Sequence, residues 1–531
     1  MSERRWIRIT PCSNIPPREG RAVMVGGREI AIFNLGDRFL ATANRCPHRG
    51  GPLSDGIVTG SAVVCPLHTW KVNMETGCVE RPGGIEACVE TYPTRIDDGV
   101  VVVGLPPAHL RRADPMDGFL ASGHLPTLVA AFLYFGVSFM TWVLLGPLAP
   151  FLREELGLSA AEQGLLTATP LLVGSVFRPV LGALADRIGG RRTGLIGLAL
   201  TLVPLALGWK VARTAAHFYG VGFLLGIAGA SFAVALPLAS RWYPRQYQGL
   251  AMGIVGAGTS GTILATLLAP RVAERFGSAN AFGVAMLPLA AVFVLFALLA
   301  RDSPNRGAPP SLGAYRAALR DPDIAWLSFL YSLTFGGFVG LASFLTSYFH
   351  EQYQLSRVTA GDFTTVVVVG GSLLRPIGGW MADRVGGFRM LVALLAGFTL
   401  CLAAVAATPG VHAATVLLFV GVGLLGMGNG AVFQIVPQRF PERIGIVTGI
   451  VGAAGGLGGF FLPSVLGLVK DATGEYTIGL LGCAGVFLIG TIALHEMGIR
   501  WSRRWHPAIV ERSGVFSYRD AERGGAGERV A

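Results

Sequence analysis

Long apolar segments fill most of the chain, but they begin only after a polar region of more than a hundred residues. Residues 1–115 mix short apolar runs with Gly, Pro and charged residues, whereas long apolar runs repeat from Leu125 to about Leu494. At 1.5 Å per residue, a run of about 20 residues crosses a hydrocarbon core about 30 Å thick. The pattern therefore predicts a soluble domain followed by an all-α membrane bundle. We place the twelve spans at roughly 125–150, 160–186, 193–210, 216–240, 248–270, 279–300, 324–349, 359–383, 388–408, 413–438, 445–469 and 476–497.

The polar N-terminal region has the pattern of an all-β domain. Its apolar runs are short, as in Arg21–Val25, Glu29–Asn34, Ala62–Val64 and Val100–Val103, and Gly, Pro and Asp separate them. Short alternating runs bounded by turn residues are typical of strands. We therefore predict a β-domain over residues 1–104.

The apolar region contains an internal repeat. Phe177–Gly190 recurs as Leu374–Gly387, an offset of 197 residues, and each copy reads Arg-Pro followed by an Asp-Arg-x-Gly-Gly loop. The same offset relates the Gly-rich segment 253–261 to 450–458. Repetition at a fixed offset indicates two copies of one structural unit. This 6+6 duplication resembles the major facilitator superfamily, which implies a bundle of twelve helices in two six-helix halves.

These patterns together give a domain plan for the chain. We predict a β-domain at 1–104, a linker at 105–122, a first half at 123–300, a central loop at 301–323, a second half at 324–500 and a tail at 501–531.

The net charge of +11 is distributed according to topology. With the N-terminus inside, eighteen Lys/Arg lie near the membrane on the cytosolic side and seven on the other side. By the positive-inside rule, both termini are cytosolic in a multi-pass inner (plasma) membrane protein. The basic charge therefore does not indicate nucleic-acid binding. The polar start at Met1–Thr10 does not resemble a secretory signal, and a cytosolic address makes disulfides unexpected.

Two Cys/His pairs in the β-domain form a metal-type pattern. Cys46-Pro-His48 and Cys65-Pro-Leu-His68 have the spacing C-x-H-x16-C-x-x-H. In a Rieske [2Fe–2S] cluster, two thiolates hold one iron and two imidazoles the other. Zinc is the alternative, because Cys2His2 also suits a tetrahedral site. The flanking residues 46–56 and 65–77 resemble Rieske ferredoxins and the small subunit of assimilatory nitrite reductase. This resemblance implies a [2Fe–2S] cluster on the four residues and leaves Cys78 and Cys88 as buried fillers.

Two arginines lie deep within predicted spans. Arg178 and Arg375 each precede the Asp that marks a span end by eight residues, or about 12 Å of helix. No predicted span carries an interior carboxylate that could neutralise them. A charge at this depth is costly, and two planar guanidinium groups facing each other favour a bound oxyanion. Snorkelling to the interface is the alternative. The missing carboxylate also favours anion exchange over proton symport.

The membrane region is similar to the nitrate/nitrite porter family within the superfamily. The similarity rests on the Arg-Pro repeat and on segments 426–430, 449–463 and 331–340. It implies that the two arginines grip the anion between aromatic rings. Thr259 stands where the family commonly has Asn. Besides the arginines, the substrate-binding residues implied or proposed are Tyr331, Phe335, Phe232, Phe433, Thr259, Asn429, Gly258 and Gly456. Ordinary packing is the alternative for the aromatics, above all Phe232 and Phe433, and for the glycines.

The two regions together predict transport of nitrate or nitrite, by anion exchange or nitrite import. The Rieske domain would dock on, or pass electrons to, a separate cytosolic nitrite reductase subunit. It would serve electron transfer, and no catalytic residues are assigned in this chain. Three alternatives stay open: a cluster that senses redox state and gates transport, an electron-transfer component anchored by its helices, and a transporter of another small anion or organic acid whose cluster serves an oxygenase.

Overall fold

The structure is a computed structural model that describes residues 5–25, 28–47, 51–66, 69–79, 87–106, 119–120, 122–304, 311–440, 443–505, 509–510 and 513–515. Two compact units divide the chain, Met1–Ala121 and Ser122–Ala531.

The first unit is built from strands, which confirms the predicted all-β domain. The strands are β1 (Arg5–Pro11), β2 (Gly20–Val25), β3 (Arg28–Asn34), β4 (Phe39–Ala43), β5 (Ile57–Thr59), β6 (Ala62–Val64), β7 (Lys71–Asn73), β8 (Thr91–Tyr92), β9 (Thr94–Asp97) and β10 (Val100–Leu105). They form three antiparallel sheets, in the orders β1-β10-β9, β2-β3-β4-β8 and β5-β6-β7.

Strand β3 supplies both hydrophobic cores of this unit. Ile30 and Ile32 pack in one core, and the intervening Ala31 and Phe33 pack in the other. Successive side chains of a strand point to opposite faces, so the continuous apolar run Ile30–Phe33 is buried on both sides. The second core also contains Cys46 and Cys65, which places both predicted thiolate ligands in one packed region.

A disulfide between Cys78 and Cys88 contradicts the expectation that both are buried fillers without a bridge. The two residues face each other in an isolated antiparallel bridge, next to the bridge of Val72 with Val79. Residues ten apart in sequence are opposed in this antiparallel bridge, and the pairing brings their sulfur atoms together.

The second unit contains twelve helices that are long and apolar enough to cross a membrane, counted within its described residues, and they confirm the predicted spans. They are α1 (Leu125–Leu156), α2 (Ala160–Ile188), α3 (Gly190–Lys210), α4 (Ala215–Ser240), α5 (Tyr247–Phe276), α6 (Ser278–Leu299), α7 (Pro322–Tyr353), α8 (Arg357–Val385), α9 (Gly387–Ala406), α10 (Val411–Val436), α11 (Gly445–Thr473) and α12 (Thr477–Arg504). A short helix, Leu312–Leu319, lies in the predicted central loop. We call 122–304 the first half and 311–505 the second half.

Four of these helices are interrupted near the predicted arginine site. Helix α1 breaks after Trp142, α4 after Gly229 and α8 just before Arg375, and α5 contains the 3-10 turn Ala257–Ser260. A break frees backbone groups that an uninterrupted helix would pair. In α4, Ala233 N donates to Ala230 O, so Gly229 O is left for another donor.

The two ends of the bundle are held by different pairs. At the Glu351 end, bonds join the halves: Arg153 Nη1 is 2.5 Å from Glu351 Oε1, Arg271 Nη1 is 2.7 Å from Asp362 Oδ1, and Arg357 pairs with Glu154. At the Asp186 end, the pairs Asp186–Arg241 and Asp323–Arg439 each stay within one half. The halves are therefore tied together at the Glu351 end.

Candidate functional site

The two repeated arginines are buried where the halves meet. Arg178 is 1% exposed and Arg375 is 8% exposed. Their side chains contact residues of both halves, and no carboxylate among the described residues bonds to either guanidinium group. Neither arginine snorkels to the surface, so two buried cations face the interface between the halves without an acidic partner.

Arg178 is fixed by backbone carbonyls and three aromatic rings. Its Nε donates to the freed Gly229 O at 3.0 Å, and its Nη1 donates to Gly452 O of the second half. The guanidinium carbon lies 5.2 Å from the Trp142 ring centre, 5.3 Å from that of Phe232 and 5.2 Å from that of Phe335. Ring faces attract a desolvated cation, so this surrounding stabilises the charge and restricts its orientation.

Arg375 has fewer contacts. Its Nη2 donates to Tyr331 Oη at 3.3 Å, and its guanidinium carbon lies 6.0 Å from the Phe335 ring centre. A Cβ on Gly256 of the first half would lie 3.7 Å from the guanidinium carbon, an ordinary contact distance, so Arg375 lies beside the first half. Phe335 therefore lies within cation–π distance of both arginines.

Each guanidinium group retains one buried nitrogen without a hydrogen-bond partner among the described residues: Nη2 of Arg178 and Nη1 of Arg375. A buried donor without a partner costs about 1–3 kcal/mol, and more when it is charged. Acceptor oxygens of a small anion would satisfy both nitrogens and neutralise part of the charge.

The predicted aromatic residues form one cluster around the arginines. Tyr331 stacks on Phe335, with ring centres 5.2 Å apart and planes at 9°. Phe433 lies 4.9 Å from Tyr331 and 6.1 Å from Phe232. All four rings thus adjoin one another and belong to both halves, although direct contact of an anion with any of them stays a prediction.

The predicted polar residues Thr259 and Asn429 are buried. Thr259 Oγ1 and Asn429 Oδ1 have no hydrogen-bond partner among the described residues. Ser372, one turn before Arg375, donates to Thr259 O at 3.5 Å. Asn429 lies in α10 next to Gly430, where a Cβ would come within 2.9 Å of Arg375 O. Both residues therefore belong to helices that pass Arg375.

The predicted glycines Gly258 and Gly456 lie where helices approach closely. A Cβ on Gly258 would lie 2.7 Å from Phe135 and 3.0 Å from Gly136 N, both in α1. A Cβ on Gly456 would overlap the Ser175 hydroxyl of α2. Both glycines therefore permit helix packing, and contact of either with the anion stays a prediction.

Trp142, Gly229 and Gly452 were not predicted, yet each contacts Arg178. The offset that revealed the arginine pair does not reveal Trp142, because its counterpart 197 residues later is Val339. The two glycines bind Arg178 through carbonyl oxygens, which every residue has. Their role depends on a helix break and on contact between the halves, and neither can be predicted from the sequence pattern.

In the β-domain, the structure describes two of the four predicted cluster ligands. Cys46 N donates to Gly51 O at 2.9 Å and Cys65 N donates to Trp70 O at 2.8 Å, so each cysteine begins a loop closed by its own amide. His48 and His68 lie outside the described residues. Within the described part, no group of three or more His, Cys, Asp or Glu is placed to hold a metal ion.

The two described thiols are compatible with a shared iron–sulfur cluster. They come from separate loops, are 2% and 1% exposed, and pack in the same core. Thiolates that hold an iron–sulfur cluster need this convergence, and an apolar shell limits access of water to the metal.

Comparison with known families separates the chain into the same two regions. The Major Facilitator Superfamily pattern matches residues 130–463, and the Rieske [2Fe-2S] domain pattern matches residues 5–93.

Several relatives match the membrane region over most of their own length. "Probable nitrate/nitrite transporter NarK2" of Mycobacterium tuberculosis is 38% identical over 70% of this chain and 97% of that protein. "Nitrite extrusion protein" of Bacillus subtilis is 34% identical over 69% and 92%, and "Probable nitrate/nitrite antiporter NarK1" of Thermus thermophilus is 30% identical over 69% and 88%.

Among solved structures, the human organic anion transporter MFSD10 (TETRAN) matches with a TM-score of 0.57 at 17% identity. The match covers 70% of this chain and 99% of that one. At this identity the likeness shows the fold alone.

Proposed function

This chain belongs to the Major Facilitator Superfamily and carries a Rieske domain, and from that premise we propose that it transports nitrate and nitrite through the site between Arg178 and Arg375. The observation that carries the proposal is the pair of buried guanidinium groups, each with one nitrogen free of any described partner. An anion between the halves supplies the missing acceptors.

The chemistry of the site suits a small planar oxyanion. Planar guanidinium groups donate in a fixed fork that matches planar anions, and aromatic rings from both halves lie beside them. Relatives that span the same region are named as nitrate/nitrite transporters, a nitrite extrusion protein and a nitrate/nitrite antiporter. These names favour nitrate and nitrite over organic acids as the cargo.

We propose exchange, or import of nitrite, as the mode of transport. No carboxylate among the described residues reaches either arginine to carry a proton or to neutralise the empty site. In exchange, the carrier returns with a second anion bound. The two buried arginines are then never left without a counter-ion. The ion pairs at the Glu351 end must break for cargo to pass there. The halves therefore move so that one end of the bundle is open while the other is closed.

The uneven distribution of Lys and Arg supports placing the Asp186 end and both termini in the cytosol. The disulfide Cys78–Cys88 points the other way, because cytosolic disulfides are rare. The proposal keeps the cytosolic placement, because the Lys and Arg bias of the short loops sets the overall orientation of a multi-pass protein. Labelling Cys12 with a membrane-impermeant maleimide tests this: we expect modification in inside-out vesicles, and modification in intact cells would reverse the orientation.

We propose that Cys46, His48, Cys65 and His68 hold a [2Fe–2S] cluster. When bound, the cluster supplies one-electron transfer. Cys46 and Cys65 would hold one iron on their buried loops, and the domain would dock on or pass electrons to a separate nitrite reductase subunit.

A counterflow assay tests transport. Purified protein is reconstituted into liposomes preloaded with nitrite, and uptake of labelled nitrate or nitrite is measured against acetate and formate as competitors. We expect saturable uptake that nitrate and nitrite inhibit and the carboxylates do not. The Arg178→Lys variant should lose it, because lysine keeps the charge but lacks the fork, while the control Arg192→Lys at an exposed position should not.

A second experiment tests the role of the Rieske domain. Cys46→Ser should remove the cluster's visible absorption and its electron paramagnetic resonance signal. Uptake into liposomes that contain no reductase should stay unchanged if the domain serves a reductase. Altered uptake in this variant would instead favour a redox sensor that gates transport.

A further inference from the structure

Trp142 lies in a slot between two glycines of neighbouring helices. The residue is 1% exposed and ends the first segment of α1. A Cβ on Gly174 of α2 would lie 2.8 Å from its Nε1, and a Cβ on Gly229 of α4 would overlap its ring. Any larger side chain at either position would displace the indole, so the two glycines set its place.

The orientation of the indole is fixed as well. Trp142 Nε1 donates to Pro170 O at 2.7 Å. The ring stacks on Phe335, with centres 6.4 Å apart and planes at 17°, and meets Phe139 edge-on at 5.2 Å. A buried indole whose N–H has a partner and whose faces are covered has little freedom to move.

This fixed ring lies on the Arg178 guanidinium group, whose carbon is 5.2 Å from the Trp142 ring centre. Gly229 links the two side chains, since its Cα faces the indole and its carbonyl accepts from Arg178 Nε at 3.0 Å. The slot therefore determines the positions of both the ring and the cation.

The second half lacks this arrangement. By the 197-residue offset, Trp142 corresponds to Val339, and the slot glycines correspond to Gly371 and Gly426. A Cβ on Gly426 would overlap the Gly371 backbone directly, and Phe338 packs beside Gly371 instead of an indole. Among the described residues, Arg375 has one ring contact, with Phe335.

We infer that Trp142 is a positioning residue for transport, which holds Arg178 so that its free Nη2 faces the anion. The inference rests on the proposed function. A ring face attracts a desolvated cation, and a side chain that is already ordered loses little freedom when cargo binds. Arg178 is thus preset for the anion, whereas Arg375 adjusts to it.

The test compares three variants in nitrite counterflow, with KM and maximal rate measured separately. Trp142→Leu removes the ring, and we expect KM to rise about tenfold with the maximal rate within about twofold. Trp142→Phe keeps a ring face, and KM should stay within about threefold. The control Phe338→Leu removes a buried ring beside the corresponding glycine of the second half, and its KM should stay near wild type.

If Trp142 only fills space, Trp142→Phe and Trp142→Leu will change KM equally, or Phe338→Leu will match Trp142→Leu. Either result overturns the inference.

Site-specific fluorination of Trp142 tests the same inference without removing the ring, so the protein should still fold. Each added fluorine weakens the negative ring face while the shape changes little. KM should rise stepwise from one to three fluorines, and a flat series overturns the inference even if Trp142→Leu does not fold. Wild-type protein without saturable nitrite or nitrate counterflow would instead contradict the proposed function, so the two failures are distinguishable.

Discussion

The two halves of the membrane unit share one repeated sequence frame but hold their arginines differently. Arg178 in the first half donates to two backbone carbonyls and lies against three rings. Arg375 in the second half donates to one hydroxyl and lies near one ring. The repeat thus conserves the position of each charge, and local helix breaks and packing decide how firmly it is held.

The halves also differ at the Asp186 end, where the second half has the stronger contacts. In the second half, buried Asp323 accepts from Arg439, Trp501 and Trp505. In the first half, His124 stacks on Trp242 at 4.7 Å, and Trp242 donates to Arg301 O. The second half therefore has the firmer helix ends and the more loosely held arginine.

The largest expected effect comes from replacing each arginine by lysine. Lysine cannot donate to Gly229 O and Gly452 O together, so Arg178→Lys should lower the ratio of maximal rate to KM about a hundredfold. Arg375→Lys should lower it only about tenfold, because fewer bonds are lost. Initial counterflow rates measure both, and an equal or greater loss in Arg375→Lys would break the comparison.

Asp323→Asn tests the difference between the helix ends. The amide cannot accept from all three donors, and we expect about 2 kcal/mol of destabilisation, seen as a lower melting temperature in detergent. The matched variant Asp186→Asn breaks the more exposed pair with Arg241 and should cost under about 1 kcal/mol. Equal shifts in the two variants would contradict the assignment.

Tyr331→Phe removes the one side-chain hydrogen bond that Arg375 makes within the described part of the chain, and should increase the difference between the two arginines. Loss of one such bond costs about 1 kcal/mol, so we expect KM for nitrite to rise about fivefold. Tyr134→Phe, at a buried tyrosine in the first half, is the control and should leave KM unchanged. A similar increase in both variants would assign the effect to general packing.

The smallest effect should come from pH at the first-half helix end. Burial, together with the nearby Arg301, lowers the pKa of His124 below its ordinary value of about 6.5. The folded state thus favours neutral His124, so its contribution to stability is present above about pH 6.5 and is lost as pH falls below that value. Wild type should lose more melting temperature between pH 7.5 and 5.5 than His124→Gln, and identical losses would exclude this histidine as the cause.

The sequence predicted the features that follow from periodicity and composition. The twelve apolar runs and the all-β start can each be read within one segment of the sequence. The duplication can be read by comparing two segments. Burial of Arg178 and Arg375 also followed, because depth along a span can be counted from the Asp that ends it.

The contacts missed by sequence reasoning depend on neighbours distant along the chain. Trp142 touches Arg178 only because Gly174 and Gly229 admit the indole. Cys78 meets Cys88 because an antiparallel bridge opposes them. The close helix contacts of Gly258 and Gly456 could not be assigned from sequence, because a glycine pattern does not say which face of a helix a neighbour covers.

One carboxylate at the Glu351 end has a consequence for the whole cycle. Asp471 of α11 accepts from Ala160 N at 2.9 Å and Ala161 N at 2.8 Å, and so caps α2 of the opposite half. Separating the halves there breaks both bonds at the start of α2, which keeps only its own Ser159–Glu162 capping box, and exposes charges that salt screens. The carrier should therefore rest with the Glu351 end closed, and rising ionic strength should shift its resting population toward the form that is open at this end.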